Sequence, residues 1–201
     1  NNQFYNYGHQ ADAWFGLPVG ALSNVSSKMP SKVSTDSYAV FGQGTWHLNP
    51  QWDLTLGLRG TYEEKTGRVK RYEPTGDSVT GAALAARNAR LGAYDSGNLK
   101  ISGSSPSGMA SISYKVNPDL MVYSSLTHGE KSGGINPSLP GNGASSLLIG
   151  PERANDAELG FKSTLWGGRV SFNANLFWSW ITGYQATAWD REANTSYLSN
   201  V

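Results

Sequence analysis

The chain has no cysteine, which removes disulfide frameworks, zinc–thiolate sites and thiol catalysis in one step. It is also short of charge. Charged residues make up 15% of it, against roughly 25% in ordinary soluble domains. The charge present is balanced, Lys+Arg 16 against Asp+Glu 15, for a formal net of +1. A balance so near zero gives no strong overall field for collecting phosphates and argues against a nucleic-acid partner. Long apolar runs are missing too, and no segment approaches the ~18 uninterrupted apolar residues of a membrane helix. Transmembrane strands stay open, because they need only ~9–11 residues and leave a weak hydropathy signal. A mean hydropathy of -0.41 is compatible with them. The opening NNQFYNYGHQ has neither the basic head nor the apolar run of a signal peptide.

What the chain does have is Gly 24, Tyr 10 and Trp 7 in 201 residues, a mix that suits tight turns and aromatic-anchored strands. In 52–63, WDLTLGLRGTYE, the even positions carry Trp52, Leu54, Leu56, Leu58, Gly60 and Tyr62, and the odd ones Asp53, Thr55, Gly57, Arg59, Thr61 and Glu63. Alternation that strict marks a strand with one apolar and one polar face. The pattern recurs in 38–48, 108–116, 120–128, 157–165 and 170–184, with Met121, Phe177 and Ile181 as apolar residues on the polar side. Tight turns join these strands in pairs at Asn49-Pro50-Gln51, Asn117-Pro118-Asp119 and Trp166-Gly167-Gly168. Between the pairs lie long polar segments, 67–106 and 130–153. Short turns at one end and long loops at the other are the pattern of an outer-membrane barrel. A soluble sandwich would keep most connections short.

Aromatic residues fall at two levels. Trp46, Trp52 and Trp166 lie beside the short turns, and Tyr38, Tyr62, Trp180 and Tyr184 near the long loops, as two membrane-interface girdles require. The segment 67–106 carries Arg68, Lys70, Arg71, Arg87, Arg90 and Lys100 against Glu73, Asp77 and Asp95. It is either a solvated loop or a positive vestibule for anionic ligands. Within it GAALAARNARL, 81–91, is built of good helix formers.

Three segments carry a family resemblance. DSYAVFGQGTWHLNPQWDLTLGLRGTYEEKTG (36–67), DLMVYSSLTHGEKSGGINP (119–137) and PERANDAELGFKSTLWGGRVSFNANLFWSWITGYQ (151–185) are similar, in order and spacing, to strand–turn–strand units of TonB-dependent outer-membrane receptors. Together they cover about half the chain, and residues 1–35 and 67–106 match only as variable extracellular loops. The resemblance implies a barrel of about 22 antiparallel strands around a plug domain. It also implies active uptake of a scarce nutrient, often a ferric siderophore, energised through TonB. No plug, TonB box or terminal aromatic residue is seen in 1–201. The whole chain is therefore expected to be a partial barrel: an all-β antiparallel meander of at least six transmembrane strands, with neighbours at both ends.

No catalytic constellation stands out, so no enzyme, cofactor or metal is expected. Glu63 and Glu64 are adjacent and point to opposite faces of a strand. His9, His47 and His128 have no metal-ligand spacing. Gly141-Asn142-Gly143 reads as a turn, and two sequons, at Asn24 and Asn194, carry little meaning in a bacterial protein. Register turns Arg59, Lys115, Glu158 and Lys162 toward the barrel interior, Glu158 and Lys162 as mutually paired wall residues. Ligand contacts are expected from the loop groups Arg68, Arg71, Tyr72, Arg87, Arg90 and Tyr94. The expected partners are outer-membrane lipid, the remaining barrel strands, a plug with TonB behind it, and a small-molecule ligand such as a ferric siderophore. Two alternatives remain open. One is a small outer-membrane pore or adhesin barrel using 1–35 and 185–201 as extra strands. The other is a soluble carbohydrate-binding module with Trp178, Trp180 and Trp189 stacking on sugars.

Overall fold

The computed structural model describes residues 2–136, 147–190 and 195–201. In chain order the elements are β1 (Asn2–Asn6), α1 (Ala11–Trp14), β2 (Ser26–His47), β3 (Trp52–Arg71), α2 (Gly81–Leu91), β4 (Tyr94–Asp95), β5 (Leu99–Asn117), β6 (Leu120–Lys131), β7 (Gly134–Ile135), β8 (Leu148–Ile149), β9 (Glu152–Leu165), β10 (Val170–Thr182), β11 (Gln185–Asp190) and β12 (Thr195–Asn200). The main sheet runs β1-β2-β3-β5-β6-β9-β10, with β4 on β3. Every pairing in it is antiparallel. Two hairpins, β7–β8 and β11–β12, stand apart from it.

Register decides what each face carries. One row crosses the sheet as Trp46, Leu54, Ile112, Ser124, Leu159 and Leu176, and the next as Gly44, Leu56, Ala110, Leu126, Ala157 and Trp178. These rows lie on one face, since directly paired residues point the same way. Among the described residues nothing covers them: Leu126 and Leu159 are each 62% exposed and Leu176 78%. The buried apolar residues are Ala21, Leu22, Val25, Met29, Val69, Leu91, Ile135 and Ile149, all toward the long-loop end. A sheet whose long apolar face is bare while its core sits above it is not the wall of a soluble sandwich. The ten-residue step from Trp52 to Tyr62 covers about 33 Å along a strand at ~3.3 Å per residue. Tilted by about 40°, it spans a band about 25 Å tall, the apolar height of an outer-membrane wall.

The short turns are held by local chemistry. The Asn49 side chain accepts the N–H groups of Gln51 and Trp52, at 2.9 Å each, and Asn117 accepts that of Asp119 at 2.9 Å. At the third turn Trp166, Gly167 and Gly168 all have positive φ, at 53°, 63° and 89°, so the two glycines supply the left-handed geometry at little cost.

The loop boundaries differ from those expected. β3 continues to Arg71 and β5 begins at Leu99, so the loop taken as 67–106 is reduced to the stretch between them. Likewise β6 reaches Lys131 and β9 starts at Glu152. Above the membrane these strand ends face water on the outward side and the loop lobes on the other, with Met29 and Val69 buried, so the alternation that lipid selects does not extend into them. The helix expected at 81–91 is present as α2.

Candidate functional site

The face opposite the apolar band is lined with polar groups that satisfy one another. Asp53 bonds His47 on one side and lies 2.9 Å from the Lys115 ammonium on the other. Glu158 accepts from the Tyr123 hydroxyl and, at 2.7 Å, from Asn175. Lys162 sits over the Tyr123 ring, 5.6 Å from its centroid. Glu158 and Lys162 are thus joined through Tyr123 rather than by a direct ion pair. Tyr123 lies flat across Gly160, its register partner on β9, where an added Cβ would come within 2.7 Å of the ring. Arg59, expected to face inward, stacks on Phe41 at 5.5 Å and donates to Thr61 at 3.0 Å. Phe177 and Ile181 pair with Glu158 and Ala154 and so stand on this same polar face.

Two loop lobes sit above the wall. The first joins the N-terminal segment to α2 around Leu22, Val25 and Leu91, with Tyr7, Ala11, Phe15 and Leu17 packed against them. Two buried charges bind it together. The Asp12 carboxylate accepts the N–H groups of Gly20 (2.6 Å), Leu22 (2.5 Å) and Ser23 (3.2 Å). The Arg87 guanidinium donates to the carbonyls of Ala21 (3.0 Å), Gly20 (2.6 Å) and Asp77 (2.7 Å). One short backbone stretch is therefore gripped at its donors by an anion and at its acceptors by a cation. Each charge loses water but gains several charge-assisted hydrogen bonds. Burial works against ionisation of Asp12, yet the converging N–H groups outweigh it and hold the carboxyl below its ordinary value. Arg71 reaches up from β3 to the C-terminal carbonyls of α2, donating to Arg90 (2.6 Å) and Gly92 (2.8 Å), where a cation meets the negative end of the helix dipole.

The second lobe is made by the β7–β8 and β11–β12 hairpins. Ser132 donates to Glu63 and accepts from Lys65 at 2.7 Å, and Lys65 also donates to the Gly133 carbonyl at 2.8 Å. Ile135 seats on Gly67, where a Cβ would come within 2.9 Å of its terminal methyl. Gln185 donates to the carbonyls of Ser132 (3.2 Å) and Gly150 (2.9 Å), while Asn200 bonds Gly150 and Gly183. Glu63, Lys65 and Gly67 share the face of Asp53, so this lobe folds onto the polar side of the wall.

The six loop residues singled out from sequence do not form one cluster. Arg71, Arg87 and Arg90 all meet at α2, with the Arg90 guanidinium over Phe15 at 5.5 Å. Tyr94 pairs with Arg71 across β3–β4 and is exposed. Arg68 and Tyr72 lie on the opposite, outward face. Arg68 forks onto Asp95, donating from Nε at 2.7 Å, and this contact holds the Asp95 carboxyl well below the usual carboxylate range. Tyr72 lies 6.0 Å from the Lys28 ammonium. Among the histidines, His128 bonds Asn155 at 2.7 Å on the outward face. Glu63 and Glu64 do diverge, toward Ser132 and toward Lys100 respectively. Gly141-Asn142-Gly143, Asn194 and the side chain of Trp189 lie outside the described residues. Among the described residues no group of acidic and histidine side chains is arranged to hold a metal. Sequence reasoning missed Asp12, Ser132, Gln185 and Asn200. Asp12, Gln185 and Asn200 act on backbone groups of irregular loops, and Ser132 reaches the Glu63 and Lys65 side chains from one, where no periodic signal exists.

An antiparallel sheet with a bare apolar band, a self-satisfied polar face, short turns at one end and folded lobes at the other is the wall of an outer-membrane β-barrel. The chain matches the family model described as TonB dependent receptor-like, beta-barrel over residues 1–201, and it belongs to that family, whose members are receptors and transporters of the bacterial outer membrane. Among solved structures it is similar to the ferric yersiniabactin uptake receptor FyuA from Yersinia pestis, with a TM-score of 0.64 and 20% identity over 91% of this chain and 24% of that one. It is also similar to the closed form of the ferric-catecholate import receptor Fiu from E. coli K12, with a TM-score of 0.59 and 18% identity over 87% of this chain and 24% of that one. The chain thus spans about a quarter of the length of the solved receptors it matches.

Proposed function

We propose that residues 1–201 form part of the barrel wall and extracellular vestibule of a receptor that takes up a scarce nutrient, a ferric siderophore. Uptake is energised by TonB acting through a plug domain. The observation that carries this reading is the pair of lobes folded over the polar side of a wall whose own polar groups are already engaged with one another or with aromatic rings. Such a wall guides a solute without trapping it, and the lobes above supply the recognition. Both similar structures are receptors for iron chelates by their descriptions, which supports that ligand class. Within the vestibule, Tyr94 and Arg90 are the proposed ligand contacts. Arg71 and Arg87, whose guanidinium groups are engaged on backbone carbonyls, hold α2 in place. Arg68 and Tyr72 face away from the lumen and make no lumen contact in this reading. Trp178 and Trp180, 6.2 Å apart, stand on the outward apolar face and serve as interface anchors rather than a sugar platform.

The test is uptake of a panel of iron-labelled siderophores by cells carrying the whole receptor, under iron limitation. Transport of at least one chelate, lost on deletion of the receptor or of TonB, is the expected result. Equal uptake in the deletion strain across the panel overturns the proposal.

A further inference from the structure

β5 and β6 separate partway up the wall. They pair from their shared turn as far as Gly108 and His128. Above that level β5 runs on against β3 to Leu99, and β6 runs on against β9 to Lys131. Pro106, just past the last pair, has no N–H with which to continue a ladder. Among the described residues no other strand pairs with this edge of β5. One contact shows that the ladder is open here. Ser105 pairs with Thr61 and so belongs to the lumenal face, while Glu130 follows His128 in alternation and belongs to the outward face. Yet the Ser105 hydroxyl donates to Glu130 at 3.1 Å. Across an intact ladder the backbone keeps side chains of opposite faces apart. These two meet through the gap.

A cavity of about 170 Å³ occupies the gap, and the consecutive β5 residues 101–105 all line it. Successive side chains of a strand point to opposite faces, so a cavity that touches every residue of such a run lies along the strand's edge. Ser104 and Arg153 reach it from the outward side, and Glu63 and Lys65 from the lumenal side, where Ser132 and Pro151 of the second lobe cover it. We infer that this cavity is a water-filled port through the wall, holding a small cluster of ordered water that joins the outer surface to the lumen beneath the second lobe. Its volume admits several water molecules and is too small for an iron chelate. Its charges answer one another, with Arg153 donating to Glu130 at 2.8 Å and Lys65 lying 3.2 Å from Glu63, which suits a neutral occupant over an ion. The open edge of β5 presents backbone N–H and C=O groups that need partners, and water supplies them. The level of the port fits this role. Tyr62 pairs with Ser104, so the port opens at the aromatic girdle and rises from it, where solvent replaces acyl chains. The same open edge lower in the wall would strand those groups in hydrocarbon.

The experiment uses the complete receptor in intact cells. Ser105→Cys is labelled with a small charged methanethiosulfonate, alone and combined with Ser104→Trp, which sets a bulky ring at the outer mouth of the port. Ser107→Cys, on the lumenal face just below the port, reports access through the vestibule. Ser104→Trp is expected to slow labelling of Ser105→Cys several-fold and to leave that of Ser107→Cys unchanged. Heat-modifiable gel mobility shows that each variant barrel is folded. Hydrogen exchange of the unsubstituted receptor in detergent, resolved by residue, gives a second readout. Along 101–105 the amides directed at the port should exchange with water while their neighbours bonded to β3 stay protected. Along 111–115, with a strand on each side, all should be protected. Labelling of Ser105→Cys that is absent, or indifferent to Ser104→Trp, overturns the proposal. Equal slowing at both thiols also overturns it, since access would then run through the vestibule. Uniform protection of 101–105 does the same, because the edge would then be paired. None of these outcomes depends on which solute the receptor carries.

Discussion

Neighbouring residues on one strand of this protein live in different solvents, and β9 shows it most sharply. Leu159 is bare on the lipid side, while Gly160 lies beneath the Tyr123 ring on the wet side. The two positions should therefore fail in different ways. Leu159→Arg puts a charge near the middle of the apolar band and is expected to destabilise the barrel by about 2–4 kcal/mol. Gly160→Ala forces Tyr123 off its seat and breaks its bond to Glu158, at a cost of about 1–3 kcal/mol for overpacking. Gly60→Ala, with nothing within 4 Å of the added methyl, should have little effect. Urea titration of the full receptor in detergent, followed by gel mobility, measures all three. An innocuous Leu159→Arg would mean that the lipid-facing register is wrong.

The loop lobes carry the energetics of the element scale, and Asp12 gives the first of them a pH signature. Its carboxyl is held below the ordinary value of 3.8, so its contribution is complete above that value and is lost as pH falls through the lower folded value. Protection of the Gly20, Leu22 and Ser23 amides from hydrogen exchange should thus be flat from neutrality to about pH 4 and fall only beneath it. Loss of protection between pH 7 and pH 5 would point to some other group. Asp12→Ala strands those N–H groups and should loosen the lobe by about 1–3 kcal/mol at neutral pH. The two kinds of element were not equally readable. The period-2 pattern made the strands legible because lipid on one side and water on the other select residues at alternate positions, as in WDLTLGLRGTYE. The lobes were not legible, because they are held by side chains reaching distant backbone, such as Arg87 to Gly20 and Asn200 to Gly150. Only α2 announced itself, through the helix propensity of GAALAARNARL. The six proposed contacts were chosen by residue type within a loop, and type does not reveal the side. Arg68 and Arg71 are three apart on one strand and face opposite ways.

At the scale of the molecule, the sheet ends in two open edges. β10 pairs with β9 along Val170–Thr182, and its other side has no strand partner among the described residues. The lower part of β2 is likewise paired only with β3, since β1 meets it only over 26–30. In a bilayer each unpaired backbone N–H or C=O costs several kcal/mol, so a row of them cannot persist against lipid. Both edges must be met by further strands, and the six-stranded arc is one sector of a closed wall. Hydrogen exchange should expose this dependence directly. In the complete receptor, the amides of Val170–Thr182 are expected to be as protected as those of β9, because both sides of β10 are then paired. When residues 1–201 are produced alone in detergent, the β10 amides that do not bond to β9 should exchange rapidly, while the β3 and β5 interior stays protected. Alternate residues of an antiparallel edge strand donate inward and outward, so fast and slow amides should alternate along β10. Uniform protection in the isolated chain would mean that its edge strands find each other, or a second copy, and that the sector closes without its neighbours.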